Sequence, residues 1–360
     1  MRYSGANGEI QTYHRREKKQ RSWLAGMAKV AGLLGLAAAV SGCDTSSTTP
    51  PYPTIESSQA ITAGNAQSVT LLAELGGHPG GVWDVAFSPD SQTLAAVAHD
   101  SPIRLWSVRD GSLQLTINPP IATGEFAFLS SVAFSPDGQT LATGGRKTTS
   151  QLWRASDGEA LFPLQGPDFV LYSVAFSPDG KTLAASGPVG AVGLLSADDG
   201  KAISTLPGHT DAVWNVAFSP DGQTLAAAEM YGDVRVWRIS DQTLLHTLGG
   251  HKGALRSVAF SPDGQVLASA SEGGRVKLWR VSDGEALRTI LTPAYDVAFS
   301  PDGTVLATGM GSMNLWRVSD GELLQTLPSE YSGYGIAFSP DGRFLASGLG
   351  DGTVQIWGIP

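Results

Sequence analysis

The residues of this chain able to act as nucleophile, base or metal ligand are few, and most are repeated. There is a single cysteine, Cys43, and there are six histidines: His14, His78, His99, His209, His246 and His251. One thiol rules out an intrachain disulfide and a cysteine-based metal site. Three histidines recur in a Gly-His dipeptide (Gly77-His78, Gly208-His209, Gly250-His251), which marks them as parts of a framework rather than of one catalytic centre. An aspartate after Ser-Pro returns seven times where it suits a turn, so no copy stands out as a general acid or base. The sequence shows no nucleophile elbow, phosphate loop or metal-ligand spacing. The chemistry it supports is recognition, with no catalytic residue, cofactor or metal.

Composition narrows the partner. The chain is 42% hydrophobic and 16% charged, the balance of a soluble globular protein. Its formal charge is −9, but seven Lys and Arg against two Asp and Glu fall in the first 29 residues, so the remainder carries −14. That argues against nucleic acid, which requires a basic surface.

At the N-terminus the basic "RREKKQR" (15–21) precedes an apolar run, "VAGLLGLAAAVSG" (30–42), then Cys43 and a Ser/Thr/Pro-rich stretch. The run is too short to span a hydrocarbon core, which takes about 20 residues. Val40-Ser41-Gly42-Cys43 resembles the lipobox of bacterial lipoproteins, which implies cleavage before Cys43 and acylation of that residue. On this resemblance residues 1–42 are a signal peptide and 43–66 a flexible tether. The mature protein is then exported and lipid-anchored at the bacterial cell membrane or envelope, touching the membrane through its acyl chains only. Met27-Ala28-Lys29 would also begin a compact signal, so Met27 is an alternative start to Met1.

The remainder is a repeat. Phe-Ser-Pro-Asp begins at Phe87, Phe134, Phe176, Phe218, Phe260, Phe299 and Phe338, at separations of 47, 42, 42, 42, 39 and 39 residues. A period of this size means an array of supersecondary units. "SVAF" and "TLAAA" have strand character, and Ser-Pro-Asp-Gly between them supplies a tight turn. Pro presets the first central position, Asp suits the second, and Gly takes the left-handed position. Only the first copy has Ser91 in place of Gly, expected to cost about 1 kcal/mol if the left-handed geometry is kept. A third strand ends at Trp106, Trp153, Trp237, Trp279, Trp316 and Trp357, with Leu195 in the third copy. A turn such as "SDGE" and a fourth strand complete most units, which describes one blade of a propeller.

From about residue 67 to 360 the chain resembles the WD-repeat β-propeller family. The carriers are the Gly-His dipeptides between fourth and first strands and the Trp closing the third. The resemblance implies an all-β fold: a single seven-bladed propeller (67–360) of four-stranded antiparallel blades. The seventh blade has three strands, so "SVTLLAEL" (68–75) is expected to supply its fourth by pairing beside "TVQIW" and to close the ring. Propellers of Tol-system proteins and of some peptidases also repeat "FSPDG", but they end their blades differently.

Departures from the family pattern matter too. The Asp of its Trp-Asp dipeptide is replaced throughout, by Ser107, Arg154, Ser196, Arg238, Arg280, Arg317 and Gly358. The family's His, Ser/Thr, Asp and Trp network is complete in no blade. The first offers His78, Asp100 and Trp106; the fourth His209 and Trp237; the fifth His251, Ser269 and Trp279; the seventh Ser347, Asp351 and Trp357. These are structural candidates, and the blades should rely more on apolar stacking.

The resemblance also places the residue four before each repeat Phe around the narrow channel mouth, where partners dock. Here that ring is Trp83, Ser130, Tyr172, Trp214, Arg256, Tyr295 and Tyr334, five of seven being Trp or Tyr. Phe128, His99, Arg146, Met230 and Glu272 are expected to share the face. The implied function is a noncatalytic scaffold binding a protein or peptide of unknown identity; the alternative is a carbohydrate-binding or enzymatic propeller using the same mouth.

Overall fold

The computed structural model describes residues 54–360 apart from 100–101, 121–127, 147–148, 169 and 189. The expected signal peptide, Cys43 and Asp100 lie outside the described residues. Seven separate four-stranded antiparallel sheets form. Blade 1 is built from Val82–Phe87, Thr93–Ala98, Ile103–Ser107 and Leu113–Ile117 in sequence order. The innermost strands of blades 2 to 7 are Leu129–Phe134, Ser173–Phe176, Val213–Phe218, Leu255–Phe260, Asp296–Phe299 and Gly333–Phe338. Each touches the innermost strand of the next blade, and that of blade 7 touches that of blade 1, so the ring is closed.

The strands form as the alternation dictates, and the blades cohere because each buries its faces against its neighbours. The second strand of blade 1 is alanine-rich and buried from Leu94 to Ala98. One apolar cluster joins Ala95, Val97 and Leu105 of blade 1 to Leu129, Leu141 and Trp153 of blade 2. Another joins Ala226 and Val236 of blade 4 to Leu267 and Trp279 of blade 5. Leu195 sits fully buried where the other blades carry Trp. The register with the outer strand shifts at the third-strand Trp, as between Leu105 and Trp106 or Val236 and Trp237. Such bulges increase twist at a sheet edge.

The Ser-Pro-Asp turn is self-contained in all seven blades. The Ser88 hydroxyl donates to Asp90 Oδ1 (2.5 Å) and accepts the Thr93 N–H (2.9 Å), while Asp90 Oδ1 accepts the Gln92 N–H (3.0 Å). The same three bonds recur from Ser135 to Ser339. Ser91 keeps the left-handed conformation at φ 61°, like Gly138 at 71° in the next blade. Its hydroxyl accepts the Asp341 N–H of blade 7 (3.1 Å), which offsets the strain across the closing seam.

Thr70–Leu75 pairs antiparallel with Val354–Gly358 as the outer strand of blade 7, so the two chain ends share one sheet. The flexible tether is expected through residue 66, and its described part begins at residue 54. Residues 54–65 form a strap along the edge carrying the Ser-Pro-Asp turns. The Ile55 N–H bonds Arg109 O of blade 1 (2.6 Å), Ser58 N–H bonds Ile359 O (2.7 Å), and Ile61 N–H bonds Gly342 O of blade 7 (2.9 Å). The Ala63 N–H then reaches Thr304 Oγ1 of blade 6 (3.0 Å). Ile61, 1% exposed, packs with Val305, Leu315, Leu345 and Ile359. Ser, Thr and Pro suggested a solvated spacer, but one isoleucine at the right place supplies an apolar anchor.

Candidate functional site

The antiparallel registers define two faces. Val82 pairs with Ala98 at one end of blade 1 and Phe87 with Leu94 at the other. The first end, carrying the expected ring, is the mouth face; the second, carrying the Ser-Pro-Asp turns and the strap, is the turn face. All seven ring residues are half-buried.

Six of the seven form one connected stack. Trp83 stacks on Tyr334 (4.9 Å between centroids, 15° between planes), and Tyr334 leans on Tyr295 (5.4 Å). The Arg256 guanidinium lies 5.9 Å from the Tyr295 ring and 4.1 Å over Trp214, which stacks on Tyr172 (4.4 Å, 8°). The chain therefore crosses blades 1, 7, 6, 5, 4 and 3 in turn. Ser130 of blade 2 interrupts it, its hydroxyl donating to Leu171 O (2.8 Å). On that side His99 stacks on Trp83 (4.7 Å) and meets Phe128 (4.6 Å). Glu272 holds Arg256 in place, its Oε1 accepting from Nε at 2.5 Å. Met230 joins through its backbone, accepting the Leu255 N–H, whereas Arg146 is exposed and bonds Phe128 O through its own N–H.

A second belt lies one residue deeper, and the sequence reading missed it. The residue three before each repeat Phe is Asp84, Ser131, Ser173, Asn215, Ser257, Asp296 or Gly335. Asp84 Oδ2 accepts the Val132 N–H of blade 2 (2.9 Å), and Ser131 Oγ the Val174 N–H of blade 3 (3.3 Å). Ser173 Oγ accepts the Val216 N–H (3.3 Å), Asn215 Oδ1 the Val258 N–H (3.1 Å) and Asp296 Oδ2 the Ile336 N–H (2.7 Å). Gly335 has no side chain to serve blade 1, and the Ser257 hydroxyl donates to Asp296 instead of accepting (2.6 Å). At those two junctions the aspartate's other oxygen takes its own following N–H, Val85 or Val297 (each 2.9 Å). A carboxylate can serve two blades at once, which accounts for the type of residue at these points. Burial, reinforced by the charge of Asp296, raises Asp84 to about 7 despite its backbone bonds, and burial raises Asp296 to about 6. Its signal lies in the same repeat, one position after each ring residue.

The structural candidates behave blade by blade. In blade 5 Ser269 Oγ takes Trp279 Nε1–H (2.8 Å) and meets His251 Nε2 (2.6 Å). Blade 4 rewires: His209 Nδ1 lies 2.8 Å from Glu229 Oε1, which also accepts Arg235 Nε–H (2.5 Å), with the His209 and Glu229 side chains sealed from solvent. Burial would raise Glu229, but the bonds from His209 and Arg235 outweigh it and hold the carboxyl low. With Ala227 beside it, Trp237 Nε1 has no hydrogen-bond partner among the described residues. His78 meets Trp106 edge-on (5.6 Å). In blade 7 neither Ser347 Oγ nor Trp357 Nε1 has a hydrogen-bond partner among the described residues, and Asp351 turns outward to Thr353 (2.7 Å). The missing Trp-Asp carboxylates also have substitutes. Arg154, Arg280 and Arg317 fork to Asp157 and Glu159, Asp283 and Glu285, and Asp320 and Glu322 of the exposed "SDGE" turns, and Arg238 pairs with Asp241.

Seven blades, a ring closed by its own two ends and a stacked aromatic mouth define a β-propeller built around an axial channel. The sequence pattern described as WD domain, G-beta repeat matches residues 69–107, 119–154, 158–191, 200–238, 242–280 and 321–358, more than half of the chain, and the chain belongs to that family. The longest unmatched stretch between these matches holds the three inner strands of blade 6, which folds like the others. No curated protein matches the sequence. Propellers of this family are generally protein-interaction scaffolds and typically non-enzymatic.

Proposed function

We propose that this protein is a noncatalytic docking platform, exported and held at the bacterial envelope by acyl chains on Cys43, that binds a protein or peptide on its mouth face. The observation that carries the reading is the connected stack from Trp83 to Tyr172, an aromatic and guanidinium surface reaching six of seven blades. Trp, Tyr and Arg are the residues that dominate binding hot spots, and rigid rings lose little entropy when a partner covers them. A sugar would need open ring faces for stacking. Trp83 is engaged by His99 and Tyr334, and Trp214 by Tyr172 and Arg256, which favours a partner that reads the mouth through edges and loops. The lipobox-like Val40-Ser41-Gly42-Cys43 supports the anchor.

Crosslinking affinity purification followed by mass spectrometry tests the reading. The comparison is between the native protein, Trp83→Ala with Trp214→Ala, and the turn-face variant Gln223→Ala. Each Trp truncation is expected to cost about 0.5–1.5 kcal/mol of stability for every ring stack that it removes while the propeller stays folded. Partners should be lost from the mouth variant alone. Global unfolding of that variant would mean the rings are core, and equal recovery from all three would remove the mouth as the docking face. Loss of Cys43→Ala from the membrane fraction, with loss of incorporated fatty acid, is the outcome expected of the anchor.

A further inference from the structure

We infer that the strap orients the propeller on a lipid surface, its turn face toward the bilayer and its aromatic mouth away, so that the partner approaches from the aqueous side. This rests on the anchorage at Cys43 proposed above; the orientation itself follows from where the chain is fastened.

The polar fastenings of residues 54–65 to the blades are on the turn face: Arg109 O, the Ile359 N–H and C=O, Pro360 O, Gly342 O and Thr304 Oγ1. Ile61 is the apolar pin. The chain reaches this face beside blade 1 at Ile55, and Cys43 lies only eleven residues before Thr54. Eleven residues reach at most about 40 Å when fully extended, at ~3.6 Å each. To present the mouth to the membrane, the chain would have to climb the outer edge of a blade. That edge is about 20 Å of strand plus loops at either end, more than half the whole reach. With the turn face toward the bilayer no climb is needed. Every blade ends there in a Ser-Pro-Asp carboxylate, so the face is hydrophilic and looks at the lipid without entering it.

Energy transfer to the bilayer tests this. An azide-bearing amino acid at Gln223 or at Tyr231 places a clicked donor dye on opposite ends of blade 4, both sites being exposed. The acylated protein is reconstituted into phosphatidylcholine vesicles holding an acceptor-labelled lipid. In parallel, the chain from Cys43, which contains the whole compact unit 51–360, is coupled through that thiol to a maleimide-headgroup lipid. A larger loss of donor emission at 223 than at 231 is expected in both preparations. Equal loss, or more at 231, overturns the orientation. Ile61→Asp, which puts a charge in the strap's apolar seat, should shrink the difference while membrane attachment persists; a difference unchanged after the strap has become protease-sensitive shows that the strap does not orient the ring. If cells leave Cys43 unacylated, the anchorage reading fails alone, because the maleimide-coupled protein still decides the orientation.

Discussion

Ser269 serves two aromatic partners with one oxygen, taking the Trp279 indole N–H and meeting His251. Ser269→Ala strands both in the interior and is expected to cost about 1–3 kcal/mol, read from urea unfolding. The converse is Ala227→Ser, which offers Trp237 Nε1 the acceptor that it lacks and should be neutral or stabilising by up to about 1 kcal/mol. The belt aspartates Asp84 and Asp296 act through pH. Asp84 at about 7 and Asp296 at about 6 lie above the unfolded carboxylate value near 4. The stability linked to them is present below pH ~4 and is lost as pH rises through their folded values. Burial, assisted by the nearby cations Arg104 and Lys277, depresses His78 and His251 to about 4. Their contribution is present above their ordinary ~6.5 and lost as pH falls through 4. The two trends oppose each other between these limits, so the native profile should be nearly flat there. Asp84→Asn removes one of them: its stability relative to the native protein should rise between pH 4 and 7 by on the order of 2–4 kcal/mol.

At the scale of the element, the turn between first and second strands is the unit that the sequence repeats, and Ser91 shows what it tolerates. The left-handed residue there is not glycine, yet φ stays at 61°, and its hydroxyl accepts the Asp341 N–H of the neighbouring blade. Ser91→Gly relieves the strain and loses the bond, so it should leave stability within about 0.5 kcal/mol of native. Ser91→Ala keeps the strain and loses the bond, and is expected to cost about 1 kcal/mol. Thermal unfolding of the two variants side by side distinguishes them, and a costlier glycine than alanine would contradict this account of the turn. The arginine forks beside the "SDGE" turns are exposed, and salt is expected to screen them.

Across the whole molecule, blade 7 and its junction with blade 1 carry several independent fastenings. The outer strand Thr70–Leu75, the strap, the Ser91–Asp341 bond and the Trp83–Tyr334 stack all brace blade 7 or cross that junction. A closed ring is only as stable as its closing interface, because opening it exposes two blade faces and an unpaired edge. Chains beginning at Thr54, Asn65 and Gly76 should therefore melt in descending order. Loss of the strap removes the burial of Ile61, about 1.5–3 kcal/mol, and loss of the outer strand should produce the larger drop together with aggregation. A chain from Gly76 as heat-resistant as one from Asn65 would mean that the shared sheet does not close the ring.

The blade, the number of blades and the way the ends meet are all written in the sequence. Those depend on codes written within about forty residues: strand alternation, Pro-Asp-Gly turn geometry and a third strand that ends in Trp. The ring from Trp83 to Tyr334 was legible as positions for the same reason, but its continuity was not, since stacking depends on where seven blades come to rest. Only the tertiary structure decided which partner each buried polar group would find. His209 chose Glu229 over the hydroxyl that its blade lacks, Ser91 bonded an N–H 250 positions away, and Asp84 and Asp296 each came to serve two blades. The strap belongs with these, because Ile61 finds its pocket only once blades 6 and 7 lie side by side. Local propensity sets what a segment can become, whereas pairings across a closed ring exist only after closure has brought distant residues within reach.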